Sequence, residues 1–185
     1  MLDFQFIDER NNLVFIGPPG VGKTHLAIGI GYKAVEAGYR VLFRNALDLV
    51  EELELAEMKG DLKKRVSALA KYDLLVIDDF LTTPINQHTA AELLNILAAR
   101  DGRGSTLVTS QFEPQDWYKS LHDAVIAESI LNRIVAGAEI LPLDGPNMRR
   151  HPMQYASTRQ SSRRCRDWRK NAAAPSRWSA DDRSR

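Results

Sequence analysis

Short apolar runs alternate with longer amphipathic segments over most of this chain. The apolar runs are predicted β-strands, at residues 13–16, 40–43, 74–77, 106–109 and 139–143. Segments with apolar residues at helical spacing are predicted helices, at residues 23–37, 47–58, 62–72, 89–100 and 124–136, with a helical turn at 114–121. Residues 74–77 read LLVI, without the alternation of a half-exposed strand, which is typical of a parallel strand buried on both faces. Strands separated by helices predict an α/β fold, a parallel sheet with right-handed crossovers and helices on both faces.

The composition agrees with one globular domain. A length of 185 residues is enough for a single core, and 44% apolar with 26% charged residues is an ordinary balance for a globular protein. No apolar run approaches the roughly 18 residues of a membrane span, and residues 1–10 lack the features of a secretory signal. The single cysteine, Cys165, excludes a disulfide within this sequence. These features favour a cytoplasmic protein that does not enter a membrane.

Charge is distributed unevenly along the chain. Residues 1–148 hold 14 Lys and Arg against 21 Asp and Glu, whereas residues 149–185 hold 11 against 3. After the first 149 residues, helical and strand periodicity are also lost. We therefore divide the chain into a domain at residues 1–149 and a basic tail at 150–185 that is predicted to be disordered. The alternative for the tail is a basic arm for nucleic acid, in which Trp168 and Trp178 would stack on bases.

A phosphate-binding loop is predicted between the first strand and the first helix. Residues 17–24 read GPPGVGKT, and the order of strand, GxxxxGKT and helix is the one such a loop requires. Glycines let successive backbone N–H groups curl around a phosphate, and the helix N-terminus adds its positive dipole end. Lys23 is expected to reach the β- and γ-phosphates of a nucleotide, and the Thr24 hydroxyl to bind Mg²⁺. The predicted nucleotide-binding residues are Gly17, Pro18, Pro19, Gly20, Val21, Gly22, Lys23, Thr24 and His25.

Two carboxylates follow the apolar strand at residues 74–77. In an ATPase site Asp78 would hold Mg²⁺, directly or through water, and Asp79 would orient and polarise the attacking water. Alone, the pair would be a solvated acidic turn, but the phosphate loop about fifty residues earlier favours hydrolysis. A GTPase or nucleotide kinase has less support, because the chain has no NKxD motif for guanine and no DxxG motif directly after its third strand.

Six short motifs in order give this chain a specific family resemblance. They are GPPGVGKTHLA at 17–27, GYRVLF at 38–43, LLVIDDF at 74–80, TSQ at 109–111, ILNRI at 130–134 and GPNMR at 145–149. With these motifs the chain resembles the IstB-like transposition helper ATPases of bacterial insertion sequences, which are AAA+ proteins close to the DnaC-like helicase loaders. The resemblance covers residues 2–149 and implies the AAA+ core of a P-loop NTPase.

The resemblance implies further site residues. Ser110 and Gln111 match the position that senses the γ-phosphate, where many relatives carry Asn in place of Gln111. Relatives also often carry Glu in place of Asp79. Arg133 matches the arginine finger that reaches the ATP of a neighbouring subunit, and Arg149 matches a second sensor arginine at the nucleotide.

The implied function is ATP binding and hydrolysis with Mg²⁺, coupled to binding of DNA and a transposase. Assembly into an ATP-dependent oligomer is expected, with non-specific duplex binding through a basic cluster at Lys59, Lys63, Lys64 and Arg65. The alternatives are a DnaC-like helicase loader and a truncated nucleotide-binding remnant without turnover. Relatives usually carry an additional N-terminal helical domain, which we expect this chain to lack, and residues 150–185 match no part of the family pattern.

Overall fold

A computed structural model describes residues 4–149 of the chain. Its five strands are β1 at Leu13–Ile16, β2 at Val41–Asn45, β3 at Leu74–Asp78, β4 at Ser105–Ser110 and β5 at Glu139–Pro142. The α-helices are α1 at Gln5–Asp8, α2 at Lys23–Glu36, α3 at Ala46–Met58, α4 at Leu62–Leu69, α5 at Gln87–Arg100 and α6 at Ala124–Val135, and a 3₁₀ helix spans Pro114–Ser120. Every predicted strand and helix is confirmed, with ends that shift by a few residues. No helix within residues 4–149 is long and apolar enough to cross a membrane.

The strands form one sheet in the order β2-β3-β4-β1-β5, and every pair is parallel. β4 therefore lies between β1 and β3, although it follows both in the chain. In the register of these strands, β1 and β4 end side by side at Ile16 and Ser110, and β3 ends on the other side of β4 at Asp78. The loops after these three strands meet at one edge of the sheet, and they carry most of the predicted site residues.

Apolar side chains leave the sheet on both faces. In β1, Val14 and Ile16 pack in the layer that contains residues of α3 to α6, while Leu13 and Phe15 pack with residues of α1 and α2. β3 and β4 lie between the two layers, and all of their residues are buried. The prediction of a parallel sheet with helices on both faces is therefore confirmed.

Helix α1 was not among the predicted elements. It is a single turn, and four residues are too few for an apolar periodicity to be read. Ile7 nevertheless packs into the core, and Phe4 meets the ring of Tyr39 edge-on with a centroid distance of 5.7 Å. The carbonyl oxygen of Phe6 accepts a hydrogen bond from the Ser105 hydroxyl at 2.9 Å. The turn therefore closes the amino end of β4.

A buried arginine joins three segments at the edge of the sheet opposite the predicted site. Arg100 ends α5, is 1% exposed, and donates to the carbonyl oxygens of Leu69 and Tyr72, each at 2.9 Å. It also donates to the carbonyl oxygen of Ser105 and to the hydroxyl of Thr106. Burial lowers the pKa of Arg100 to about 10, so the guanidinium stays charged at neutral pH. The ends of α4 and α5 are thereby fixed to the start of β4.

Replacing Arg100 with methionine should destabilise the domain, because its acceptors would lose their donor in the buried interior. A buried carbonyl or hydroxyl group that loses its hydrogen bond costs about 1–3 kcal/mol before the surrounding structure adjusts. We therefore expect the free energy of unfolding to fall by about 2–4 kcal/mol. Urea unfolding of the full chain measures this change. Arg103→Met, three residues on and exposed, is the matched control. Equal stability of the two variants would show that the Arg100 contacts contribute nothing.

Candidate functional site

The loop between β1 and α2 has a backbone that depends on glycine. Gly20 has a φ of 90° and Gly22, which caps α2, has a φ of 101°. These left-handed values are costly for a residue with a Cβ. At Gly17 a Cβ would lie 2.0 Å from the carbonyl oxygen of Leu143, so a larger residue would displace one of the two segments. The other predicted residues of this region are exposed or half-buried, and they are Pro18, Pro19, Val21 and, in the first turn of α2, His25.

The ammonium group of Lys23 lies against this loop. Its Nζ donates to the carbonyl oxygens of Gly17 at 2.6 Å and Pro18 at 3.0 Å, and the residue is only 5% exposed. Burial lowers the pKa of Lys23, and the nearby carboxylates of Asp79 and Asp78 oppose that shift. A cation held by neutral carbonyls is well placed to exchange them for phosphate oxygens, which are stronger acceptors because they are charged.

Thr24 and Asp78 meet where α2 approaches the end of β3. The Thr24 hydroxyl donates to Oδ1 of Asp78 at 2.9 Å, and Asp78 is 4% exposed. A hydroxyl and a carboxylate are oxygen ligands of the kind that Mg²⁺ takes beside nucleotide phosphates. The donor set therefore fits the predicted Mg²⁺ site, and the glycine loop with Lys23 fits the phosphates of ATP.

Asp79 begins the turn after β3 in a strained conformation. Its φ is 56°, and a non-glycine residue held in this region costs about 1–3 kcal/mol and is found preferentially at functional sites. The N–H of Asp79 donates to the Thr109 hydroxyl at 3.0 Å, and its carbonyl oxygen accepts from the Thr82 hydroxyl at 3.0 Å. The half-buried carboxylate interacts electrostatically with Lys23. Asp79 thus lies beside the phosphate loop, as predicted.

Ser110 and Gln111 lie at the end of β4, but they face different surroundings. The Ser110 hydroxyl is fully buried; it donates to the carbonyl oxygen of Phe80 at 3.0 Å and accepts from the backbone N–H of Phe112 and from Nε1 of Trp117. A hydroxyl has one donor and two acceptor positions, so this one has no capacity left for a phosphate. Gln111 is exposed at the edge where the site lies. Of the two residues predicted to sense the γ-phosphate, only Gln111 is available to contact it. The Ser110 hydroxyl instead joins the end of β4 to Phe80 and Trp117.

The segment at residues 143–149 lies across the phosphate loop. The N–H of Met148 donates to the carbonyl oxygen of Gly20 at 3.0 Å, and a Cβ on Gly20 would lie 2.1 Å from Oδ1 of Asn147. Arg149 is exposed, and its positive charge adds to the effect of burial in lowering the pKa of Lys23. Arg149 is therefore close to the loop, where the prediction of a nucleotide contact requires it to be.

Arg133 lies at the opposite edge of the sheet. It is in the last turn of α6, and its carbonyl oxygen accepts from Nδ2 of Asn12 at 2.8 Å. Asn12 directly precedes β1, whereas the phosphate loop follows β1, and four strand residues span about 13 Å. Nη1 of Arg133 donates to the carbonyl oxygen of Ser129 at 3.2 Å, and its Nε is buried without a partner within residues 4–149. The structure separates Arg133 from the phosphate loop of its own chain.

The basic cluster predicted to bind DNA needs one correction. Arg65 is half-buried and its Nη2 contacts Oε1 of Glu52, while the other carboxylate oxygen, Oε2, accepts from Nε of Arg44 at 2.9 Å. Arg65 belongs to an ion-pair network between β2, α3 and α4, so it cannot also serve as an open phosphate contact. The exposed members of the cluster are Lys59, Lys63 and Lys64.

A phosphate loop after β1, paired acidic residues at the end of β3 and the strand order β2-β3-β4-β1-β5 define the fold of a P-loop nucleotide-binding protein. The sequence profile of the family described as IstB-like ATP binding protein matches residues 1–156. The chain belongs to this family.

Curated relatives come from bacterial insertion sequences. The insertion sequence IS5376 ATP-binding protein of Geobacillus stearothermophilus is 35% identical over 149 residues, which cover 80% of this chain and 59% of the relative. The insertion sequence ATP-binding protein y4uH of Sinorhizobium fredii is 39% identical over 145 residues, which cover 78% of this chain and 58% of the relative. The chain thus spans about three fifths of the length of these relatives.

Solved structures with the same fold are replication proteins. A DnaC helicase loader has a TM-score of 0.66 at 24% identity, over 76% of this chain and 85% of that one. AMPPCP-bound DnaA from Aquifex aeolicus has a TM-score of 0.65 at 22% identity, over 78% of this chain and 45% of that one. At these identities the likeness concerns the fold alone.

Proposed function

We propose that this chain binds ATP with Mg²⁺, hydrolyses it, and acts as a helper protein in DNA transposition. The observation that carries the proposal is the 2.9 Å hydrogen bond from Thr24 to Asp78, because it joins the phosphate loop and the acidic turn into one site beside Asp79. Membership of the IstB-like family supports ATP binding, and the insertion sequence origin of the relatives supports a role in transposition.

The residues of the site divide the work of hydrolysis. Lys23 would move its ammonium from the loop carbonyls to the β- and γ-phosphate oxygens, and Gln111 would contact the γ-phosphate. Thr24 and Asp78 would hold Mg²⁺, which supplies positive charge against the phosphate oxygens when bound. Asp79 would orient the attacking water and accept its proton, which a carboxylate close to the loop can do without moving far.

A complete site would need a second copy of the chain. Arg133 is at the edge of the sheet opposite its own phosphate loop, so any contact with ATP would be made in a neighbouring subunit. An arginine added in this way stabilises the charge of the transition state. We therefore propose an oligomer in which each ATP lies between two subunits and hydrolysis depends on assembly.

DNA and a transposase are the proposed partners. Lys59, Lys63 and Lys64 are exposed around the start of α4, and an assembly would repeat this group once per subunit. Repeated weak contacts to one duplex combine into stronger binding when they are held together. The similarity to a helicase loader concerns the fold alone. It therefore does not support a role of this chain in loading a helicase.

Duplex binding by the full chain should depend on the nucleotide. With ATP, which is expected to promote assembly, the affinity for a labelled duplex should be at least about 10-fold higher than with ADP or without nucleotide. It should also fall steeply with salt, because contacts to phosphates release counterions. Fluorescence anisotropy at two salt concentrations, with the ATP hydrolysis rate measured in parallel, provides both quantities.

Two lysine variants show whether the duplex binds at the exposed lysines of α4. The double change Lys63→Ala and Lys64→Ala should weaken binding and lower the salt dependence by about one ion for each lost contact. Lys33→Ala, on the exposed side of α2, should leave both unchanged. Identical affinity in all three nucleotide states would reject coupling between ATP and DNA binding and leave a P-loop ATPase of unknown partner.

A further inference from the structure

Thr109 of β4 contacts three consecutive residues of the acidic turn. Its hydroxyl donates to Oδ1 of Asp78 at 2.6 Å and accepts from the N–H of Asp79 at 3.0 Å. Its carbonyl oxygen accepts from the N–H of Phe80 at 2.8 Å. Thr109 is fully buried, so solvent does not compete for these contacts. A single hydroxyl therefore joins the residue proposed to hold Mg²⁺ and the residue proposed to activate water.

The hydroxyl acts where regular strand pairing has ended. In the ladder between β3 and β4 the last paired residues are Ile77 and Val108. Asp79 then adopts a φ of 56°, and its N–H reaches the side chain of Thr109 instead of a strand carbonyl. A backbone N–H that is partly withdrawn from water needs an acceptor, and the hydroxyl supplies it at the point where the backbone is strained.

We propose that Thr109 is a positioning residue for the hydrolytic site. Its hydroxyl fixes the Asp78 carboxylate for Mg²⁺ and the backbone of Asp79 for the attacking water, and it acts through these residues. This inference rests on the proposed function. The other hydroxyls of β4 bond elsewhere, as Ser110 does to Phe80 and Trp117, so Thr109 is the residue of this strand whose hydroxyl bonds both Asp78 and Asp79.

Two substitutions separate the hydroxyl from the shape of the side chain. Valine has nearly the shape of threonine but can neither donate nor accept a hydrogen bond, whereas serine keeps the hydroxyl and loses the methyl group. In the full chain, Thr109→Val should lower the kcat of ATP hydrolysis at least about 10-fold, a loss on the scale of one misplaced catalytic group. Thr109→Ser should stay within about 3-fold of the wild type.

Nucleotide binding gives a second readout that does not depend on turnover. We expect Thr109→Val to keep the affinity for a fluorescent ATP analogue in EDTA within about 2-fold, because the phosphate loop is untouched. The gain in affinity on adding Mg²⁺ should shrink at least about 3-fold, because Asp78 keeps the hydroxyl of Thr24 but loses the shorter hydrogen bond from Thr109. Thr109→Ser should retain most of this gain.

Thr106→Val is the matched control for a purely structural effect. Thr106 is 2% exposed in the same strand, and its hydroxyl accepts from Nε of Arg100 at 3.3 Å at the far end of β4. Both valine variants should lower the melting temperature by several degrees, but only Thr109→Val should change kcat and the Mg²⁺ effect. If Thr109→Val matches Thr106→Val in both readouts, the positioning role is wrong.

The two readouts also separate this inference from the proposed function. If the wild type binds nucleotide but shows no turnover, hydrolysis fails as a function, and the Mg²⁺ effect still decides whether Thr109 orients Asp78. If the wild type turns over ATP and Thr109→Val does so at the same rate with the same Mg²⁺ effect, the inference fails and the function stands.

Discussion

Lys23→Ala should weaken ATP binding by about 10²-fold, so that no binding is detected at ordinary working concentrations. The ammonium is the positive charge placed against the phosphate loop, and charge-assisted hydrogen bonds of this kind contribute about 1.5–3 kcal/mol each. Titration with a fluorescent ATP analogue measures the affinity, and the melting temperature without nucleotide shows whether the fold is intact.

Lys33→Ala is the control in the same helix. Lys33 pairs with Glu36 at 2.7 Å on the exposed side of α2, away from the loop. Its removal should leave the affinity for ATP unchanged. An unchanged affinity in Lys23→Ala itself would refute the assignment of the phosphate loop.

Arg133→Ala should lower the rate of ATP hydrolysis by about 10³- to 10⁵-fold while leaving ATP binding intact. This is the range for an arginine that stabilises the transition state of phosphoryl transfer from a neighbouring subunit. Binding should be unaffected, because Arg133 lies at the edge of the sheet opposite its own loop. Hydrolysis by the wild type should rise more than linearly with protein concentration until assembly is complete.

Arg103→Ala, at an exposed position, serves as the control for the loss of a positive charge, and the melting temperature of Arg133→Ala shows whether removing this half-buried side chain alters the fold. The contact of Asn12 with the carbonyl oxygen of Arg133 involves the main chain, so the alanine variant keeps it. A rate strictly proportional to concentration, with Arg133→Ala as active as Arg103→Ala, would exclude an arginine finger at this position.

The local elements of the fold could be predicted from the sequence because their signals are local. Buried strands such as β3 read as continuous apolar runs, and helices such as α5 read as apolar stripes. The order of the strands leaves no such signal, because it depends on which helix crosses which face. The insertion of β4 between β1 and β3 places the carboxyl end of β4 between the phosphate loop and the acidic turn.

The positions of site residues could be predicted where a motif fixes the backbone. The directions in which their side chains point could not. GPPGVGKT determines the loop, and the apolar run before Asp78 determines where the carboxylates emerge. Whether Ser110 points to the loop or into the core depends on Phe80, which is 30 residues away in the chain, and on Trp117, which a 3₁₀ helix turns back towards it. The only sequence signal for Thr109 is a hydroxyl residue at the end of an apolar strand, which is too common to single it out.

Buried charges were the other features that the sequence left open. Arg65 is predicted as part of an exposed basic cluster, and the spacing of residues in the chain does not reveal the partners of either Arg65 or Arg100. Arg65 contacts Glu52 on the preceding helix, and Arg100 donates to backbone carbonyls up to 31 residues away. A charged side chain in the interior depends on acceptors that tertiary structure brings together, and local periodicity does not encode them.

We propose that ATP is hydrolysed between two copies of this chain, and a mixture of two inactive variants provides the decisive test. Arg133→Ala keeps the phosphate loop and Asp79, whereas Asp79→Asn binds ATP and still offers Arg133 to a neighbour. Each variant alone should be inactive. An equimolar mixture should recover a substantial part of the wild-type ATP hydrolysis rate, because some interfaces combine an intact Asp79 with an intact Arg133. If the mixture stays as inactive as its components, at concentrations where the wild type is assembled and active, ATP is not hydrolysed between two subunits.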